Sequence, residues 1–297
     1  MLRLPDDRSA GRGSVLIGLI GAGIAESRTP AMHEAAALAA GFSLVYRRLD
    51  LDLGPDLPLQ ELLELADWMG FDGLNVTYPC KQAVLPFLDE LSENARAVGA
   101  VNTVVLRDGR RFGHNTDIWG FTEAFRDELP DVPRTRVLQL GAGGAGSAVA
   151  FGLLSEGVGE LRLFDPDRAR AELLAREMAE LGKGAEIVVV EDAGEAAEGC
   201  DGVVNASPVG MQKMPGMPLP AAAIPADAWV VDVVYFPIET EFLATARARG
   251  CRVMGGGGMA LWQAVRAFEL FTGEKPDRRA MREAFARASR LMAGAEE

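Results

Sequence analysis

The stretch from Arg136 to Asp165 constrains the fold more than any other part of the chain. Arg136 to Leu140 (RVLQL) is an apolar run of strand length that enters Gly141-Ala142-Gly143-Gly144-Ala145-Gly146, a G-x-G-x-x-G. Ser147 to Ser155 continues in small and apolar residues at helical length, and Glu160 to Phe164 reads as a second strand ending in Asp165. Strand, glycine turn, helix, strand and terminal acid in this order predict a dinucleotide-binding βαβ unit. In such a unit Gly141 permits the tight turn, Gly143 lets the backbone approach a pyrophosphate, and Gly146 lets the helix pack close to the sheet. The helix N-terminus offers unpaired N–H groups and a positive dipole end to the phosphates. Asp165 is placed to accept from both ribose hydroxyls of NAD. In any other α/β fold the same glycines make only a Gly-rich turn.

Composition narrows the partners. A length of 297 residues suits one large domain or two ordinary ones. The net charge of −13 argues against a nucleic-acid or anionic-membrane partner, so an acidic substrate must be held by local donors. Cys80, Cys200 and Cys251 form no C-x-x-C, which suits reduced thiols in a cytoplasmic enzyme. With only His33 and His114, and no zinc-type spacing, no metal site is expected. Arg8 and Arg12 precede an apolar run, Val15 to Ile24, that superficially resembles a secretory signal. The alternative is a first strand, Val15 to Ile20; Ser27-Arg28-Thr29-Pro30 and a helix follow without a break in composition, which favours the strand. Residues 1–13 are polar and expected to be disordered, and no stretch is long and apolar enough to span a membrane.

The first third alternates strand and helix. Thr29 reads as an N-cap before Pro30, with a helix to Ala40 that stops at Gly41. Strands are expected at Ser43–Leu49 and Phe71–Val76, and helices at Leu59–Met69 and Asp89–Val98. Asn102–Leu106 and Arg111–His114 flank Asp108-Gly109, a hairpin signal. Asp117–Leu129 is helical, and Asp131-Val132-Pro133 breaks it. The second half repeats the alternation: a helix at Arg168–Leu181 and strands near Ile187–Val190 and Gly202–Asn205. A Pro- and Met-rich loop spans Ser207–Pro225, and the last strand is Trp229–Val233. Helices Met259–Phe271 and Arg278–Met292 close the chain. The pattern predicts an α/β protein with mostly parallel sheets in two lobes.

Polar blocks punctuate the first lobe. Ser27-Arg28-Thr29-Pro30, Asn75-Val76-Thr77-Tyr78-Pro79-Cys80-Lys81, Gly99-Ala100-Val101-Asn102-Thr103 and Gly113-His114-Asn115-Thr116-Asp117 put hydroxyls, amides, a lysine and an aspartate at strand ends. That is where α/β proteins bind ligands. The set suits a small, densely hydroxylated substrate, with lysine and aspartate for proton transfer. Taken singly, each block is also explained by turn and cap chemistry.

Taken together, these blocks resemble the shikimate dehydrogenase family. The resemblance runs over roughly residues 15–292 and adds Asn205-Ala206-Ser207-Pro208-Val209-Gly210-Met211, Asp232 with Tyr235, and the Gly-rich stretch ending in Met259 and Gln263. Ser27–Pro30 and Tyr235–Thr240 make it most similar to the actinobacterial quinate/shikimate dehydrogenases. The resemblance implies a substrate domain of residues 1–116 plus 259–297, a Rossmann-type NAD domain of residues 117–258, and an active site between them. Lys81 and Asp117 resemble the catalytic pair. Ser27 and Thr29 resemble the hydroxyls that bind the substrate carboxylate. Thr77, Asn102 and Gln263 resemble ring-hydroxyl ligands, and Asn75 and Tyr235 line the same pocket. Besides Gly141–Gly146 (Gly144 and Ala145 included) and Asp165, the cofactor set implied is Arg170, Ala206, Ser207, Pro208, Gly210, Met211, Val233, Gly256 and Met259.

Two departures bear on specificity. Glu26 stands where many members have histidine, and Thr29 where shikimate-specific members usually have serine. The expected reaction is oxidation of a ring alcohol by NAD with Lys81 as acid/base, on quinate and shikimate. Asp165-Pro166-Asp167-Arg168 replaces the Asn-Arg-Ser/Thr of NADP users, so NAD is favoured, with NADP use left open by Arg168 and Arg170. The expected partner is a small polyhydroxy cyclohexane or cyclohexene carboxylate; a homodimer stays open. The alternatives are a plain shikimate dehydrogenase, a dehydrogenase of the amino analogues, and a non-catalytic NAD-binding protein on the same fold.

Overall fold

A computed structural model describes residues 14–54, 57–182 and 184–293, with side chains up to Leu291. The disorder expected of residues 1–13 lies outside the described residues. The chain forms two compact units. One runs to Thr116 and resumes at Ala264; the other is Asp117–Gln263.

The first unit begins with β1 (Val15–Gly21), α1 (Thr29–Ala39), β2 (Leu44–Asp50), α2 (Leu59–Trp68) and β3 (Gly73–Val76). It continues through α3 (Cys80–Ala83), β4 (Glu90–Leu91), α4 (Glu93–Val98), β5 (Thr103–Arg107) and β6 (Arg110–His114). Strand order is β2-β1-β3-β5-β6-β4. β1 pairs in parallel with β2 and β3, and β4 with β6, while β5 runs antiparallel to both of its neighbours. β1 is covered on both faces because its apolar residues occupy both phases of the two-residue repeat. Ile17 and Leu19 join Tyr46, Val105 and Phe271, and Ile20 joins Leu63, Leu74, Val76 and Val104. The strand alternative for Val15–Ile20 is therefore the observed one. Asp108 and Gly109 both have left-handed φ, 54° and 71°, which makes the turn of the expected hairpin.

Two local expectations are corrected. Asp89–Val98 is not one helix, because Ser92 accepts from Ala95 N at 3.3 Å and starts α4 there, while Glu90–Leu91 are extended beside β6. Thr29 is the first residue of α1 and not its cap: Arg28 already has helical dihedrals, and the Ser27 hydroxyl accepts from Thr29 N at 3.4 Å.

The second unit starts with α5 (Thr116–Glu128), whose first residue belongs to the other unit. It continues with β7 (Arg136–Leu140), α6 (Gly144–Ser155), β8 (Glu160–Phe164), α7 (Arg168–Glu180), β9 (Glu186–Val189) and α8 (Ala193–Ala196). β10 (Gly202–Asn205), β11 (Trp229–Asp232), α9 (Glu241–Ala248) and β12 (Arg252–Gly255) complete its sheet. Then α10 (Gly256–Thr272) returns the chain to the first unit, where α11 (Arg278–Ala293) packs on α1. The sheet is parallel throughout, in the order β12-β11-β10-β7-β8-β9. Order reverses between β7 and β10, the position where doubly wound sheets open a ligand crevice.

β11 is not the last strand, as the sequence suggests. Thr240 caps α9 by accepting from Leu243 N at 3.2 Å, and the four residues of β12 follow. R-V-M-G is too short to display an alternation, and it runs straight into glycines. Trp229 anchors the core, with its ring edge-on to Phe125 and its Nε1 donating to Pro133 O at 2.8 Å. Among the described residues, no helix is long and apolar enough to cross a membrane.

Candidate active site

In the first unit the chain leaves β1 for β2 on one side and then returns to β3 on the other. The loops after β1 and β3 therefore flank a topological switch point. They are tied together there, with Ala22 N donating to Tyr78 O and Thr77 N to Ile20 O, each at 2.9 Å. Because β5 is antiparallel to β3, its first residue lies beside the end of β3, Thr103 opposite Asn75, and the end of β6 lies beside it in turn, His114 opposite Thr103. Four blocks distant in sequence thus meet at one end of one sheet. Ser27, Thr29, Thr77 and Lys81 are half-buried there. The Lys81 carbonyl accepts from Val101 N at 2.9 Å, which ties the lysine segment to the residue before Asn102. Burial pushes the neighbouring Cys80 thiol up, so it stays protonated.

A buried amide–hydroxyl network sets the polarity of this end. Asn102 Oδ1 accepts from Thr116 N at 2.8 Å and lies 3.1 Å from the Thr103 and Thr116 hydroxyls. The backbone donor fixes the amide's orientation, so its Nδ2, 3.0 Å from Thr116 Oγ1, keeps a second N–H to offer. Asn75 is used differently. Its Oδ1 accepts from the buried Tyr46 hydroxyl at 2.7 Å, and its Nδ2 reaches Asn102 O and Thr103 Oγ1 at 3.3 and 3.1 Å. Both amide hydrogens are engaged within the protein, which makes Asn75 a positioning residue. Tyr46, outside the polar blocks, and Thr103 and Thr116, within them but given no role of their own, build this network. Their only signal is polarity at buried positions, which one sequence cannot separate from turn chemistry.

The second unit assembles the nucleotide half. Gly141 has φ +100°, and a Cβ there would stand 2.7 Å from Ser207 N. A Cβ on Gly146 would overlap the Gly141 carbonyl oxygen at the end of β7 and crowd the Gln139 side chain of that strand, so this glycine lets α6 start close against the strand. Gln139, fully buried beneath the turn, donates from Nε2 to Gly141 O and Gly146 O at 2.9 and 3.0 Å. It is the one amide in an otherwise apolar strand interior, a signal the sequence carried. Around Gly143 and Gly144 the space is open where a Cβ would point, and α6 has no side-chain cap and no acid in its first turn. That leaves N–H donors and room for a pyrophosphate, so the residues fit a dinucleotide. Asp165 Oδ2 accepts from Ala142 N at 2.8 Å, and its Oδ1 from Asp167 N at 2.9 Å. The carboxylate therefore orders the glycine turn and retains lone pairs for a ribose.

Ala206–Met211 follow β10 directly across the switch point. Asn205 Oδ1 accepts from Ser207 N and Oγ at 3.1 and 2.6 Å, and its Nδ2 donates to Val209 O and Asp232 Oδ1, both at 2.9 Å. Asp232 also accepts from Val234 N and the Thr240 hydroxyl, fastening the loop that bears Val233 and the partly exposed Tyr235. Burial raises its carboxyl to about 6, against the lowering effect of these hydrogen bonds. Gly256 allows close approach to the Val233 carbonyl, and the Met259 and Gln263 backbones press on Gly120, one helical turn after Asp117. Met259 is packed in the core. Met211 is exposed, Pro208 lies at the turn, and Gly210 takes φ +101°. Arg170 pairs with Asp167 at 3.2 Å.

These features define a dinucleotide-binding α/β protein of the oxidoreductase type, joined to a second α/β unit with a polyol-suited polar end. Residues 19–104 match the shikimate dehydrogenase substrate binding domain and residues 256–284 the shikimate 5′-dehydrogenase C-terminal domain. The quinate/shikimate dehydrogenase (NAD(+)) of Corynebacterium efficiens is 52% identical, over 92% of this chain and 98% of that protein. The shikimate dehydrogenase (NADP(+)) of Streptomyces avermitilis is 49% identical over 89% and 92%. Among solved structures, quinate dehydrogenase from Corynebacterium glutamicum in complex with NAD superposes with a TM-score of 0.89 at 49% identity, covering 92% of this chain and 99% of that one. The chain belongs to the shikimate dehydrogenase family.

Proposed function

We propose that the chain is an NAD-dependent dehydrogenase that interconverts quinate with 3-dehydroquinate and shikimate with 3-dehydroshikimate. The observation that carries this reading is the convergence of Ser27, Thr29, Thr77, Lys81 and Asn102 at the switch point of the first sheet, in a chain similar to a quinate/shikimate dehydrogenase over 92% of its length. Ser27 and Thr29 hold the substrate carboxylate with their hydroxyls, which the net charge of −13 would otherwise repel. Asn102 offers its remaining N–H, and Thr77 its hydroxyl, to ring hydroxyls, with Tyr235 and Gln263 as further ligands.

Gly141–Gly146, Asp165, Arg170, Ala206, Ser207, Pro208, Gly210, Met211, Val233, Gly256 and Met259 would hold NAD, which when bound supplies the hydride acceptor. Lys81 removes the hydroxyl proton as a neutral amine during oxidation and returns it as an ammonium during reduction. Asp117, in the first turn of α5, is the second member of the catalytic pair. The buried, unreactive thiols match a cytoplasmic setting. A second reading, NADP-dependent shikimate oxidation, is favoured by the name of the Streptomyces relative. Lys81→Ala tests the proton-transfer assignment: kcat falls by roughly 10² to 10⁴-fold. A variant altered only in KM would make Lys81 a binding residue.

A further inference from the structure

Arg168 opens α7 three residues after Asp165, close to the place, here Pro166, where NADP users carry their arginine. Position alone would let this chain bind NADP. The side chain, however, is held from two directions. Arg168 Nε is 2.8 Å from Glu172 Oε1, one turn further along α7, and Nη1 is 2.5 Å from Glu191 Oε1. Glu191 follows β9 at its carboxyl end; Val190 N still donates to Leu163 O, so Glu191 stands beside the end of β8. The only other arginine nearby in sequence, Arg170, pairs with Asp167 at 3.2 Å. The two arginines in the first turn of α7 thus each have a carboxylate partner, and Arg168 has two.

We propose that Glu191 and Glu172 are cofactor-specificity determinants, which hold Arg168 in an ion-pair clasp and deny it to a 2′-phosphate. The proposal rests on the NAD reading and deepens it. Asp165 selects for a free 2′-hydroxyl by accepting from it, and the clasp selects against the phosphate by neutralising the one group placed to receive it. A phosphate entering this site meets the carboxylates of Asp165, Asp167, Glu172 and Glu191 with no cation released to balance them.

Titration calorimetry of the full chain with 5′-AMP and with adenosine 2′,5′-bisphosphate tests this without turnover. Wild-type protein binds 5′-AMP more tightly. In Glu172→Gln/Glu191→Gln the bisphosphate binds roughly five- to tenfold tighter, about what two exposed ion pairs restrain, while 5′-AMP affinity is unchanged. Adding Arg168→Ala to that double variant removes the gain. A double variant with no gain, or a gain that survives Arg168→Ala, overturns the clasp; the second outcome would leave only bulk charge. Failure of wild type to bind 5′-AMP would sink the nucleotide reading itself, and equal wild-type affinity for both probes would sink NAD preference.

Discussion

Stability should depend on pH through two buried groups of opposite sign, and substituting one unmasks the other. His33 is fully buried in a box formed by Tyr46, Phe268 and Phe271, with ring centroids 5.2, 5.9 and 5.9 Å away. Neither ring nitrogen has a hydrogen-bond partner, and desolvation lowers its pKa from 6.5 to about 3. The unfolded chain takes up a proton as pH drops through 6.5 and the folded chain does not until about 3. The His33 contribution is therefore complete above 6.5 and lost on acidification, by about 2 kcal/mol between pH 7 and 5. Asp232 works the other way. Its folded pKa of about 6 lies above the ordinary 3.8, so the folded chain binds the proton first. Acidification over the same interval stabilises by about 1.4 kcal/mol. In wild type the two nearly cancel. Urea titrations at pH 7 and 5 should show that His33→Leu gains stability on acidification relative to wild type, by about 2 kcal/mol. Asp232→Asn should lose it by about 1.4 kcal/mol. Variants whose pH dependence parallels wild type would refute the argument, because the slope is independent of how much each substitution costs in absolute stability.

Other expectations follow from single contacts. Thr29→Ser should shift the kcat/KM ratio toward shikimate by about 1 to 2 kcal/mol, because a methyl that fixes the side-chain torsion is lost beside the carboxylate; an unchanged ratio would leave Thr29 a helix-start residue only. Gly143→Ala should leave the urea midpoint alone and raise KM for NAD by roughly tenfold or more, since its Cβ enters open space meant for pyrophosphate. Gly141→Ala should lower both stability and NAD affinity, given φ +100° and Ser207 N at 2.7 Å; equal behaviour of the two glycine variants would contradict the assignment of open and closed sides.

The nucleotide unit was legible because its information is local. Arg136–Asp165 contains strand, turn, helix and acid within one window, and the structure keeps them as β7, α6 and β8. β12 was illegible for the opposite reason: four residues between a helix and a glycine run carry no period. The first unit's polar end depended on pairing that no window holds. Asn75 meets Thr103 only because β5 runs antiparallel to β3, and Asn102 meets Thr116 only because β6 returns beside β5. The strand-end residues were recognisable as a set by resemblance, while the division of labour between them was not. Asn75 spends its amide internally and Asn102 does not, a distinction that exists only in three dimensions.

The measurement that bears most directly on the central claim is an initial-rate matrix of quinate and shikimate, each with NAD and with NADP, on the unmodified chain. The account predicts oxidation of both acids with NAD and a lower catalytic efficiency with NADP for each. Turnover of shikimate with NADP at equal or better efficiency, together with no quinate oxidation at saturating NAD, would contradict it.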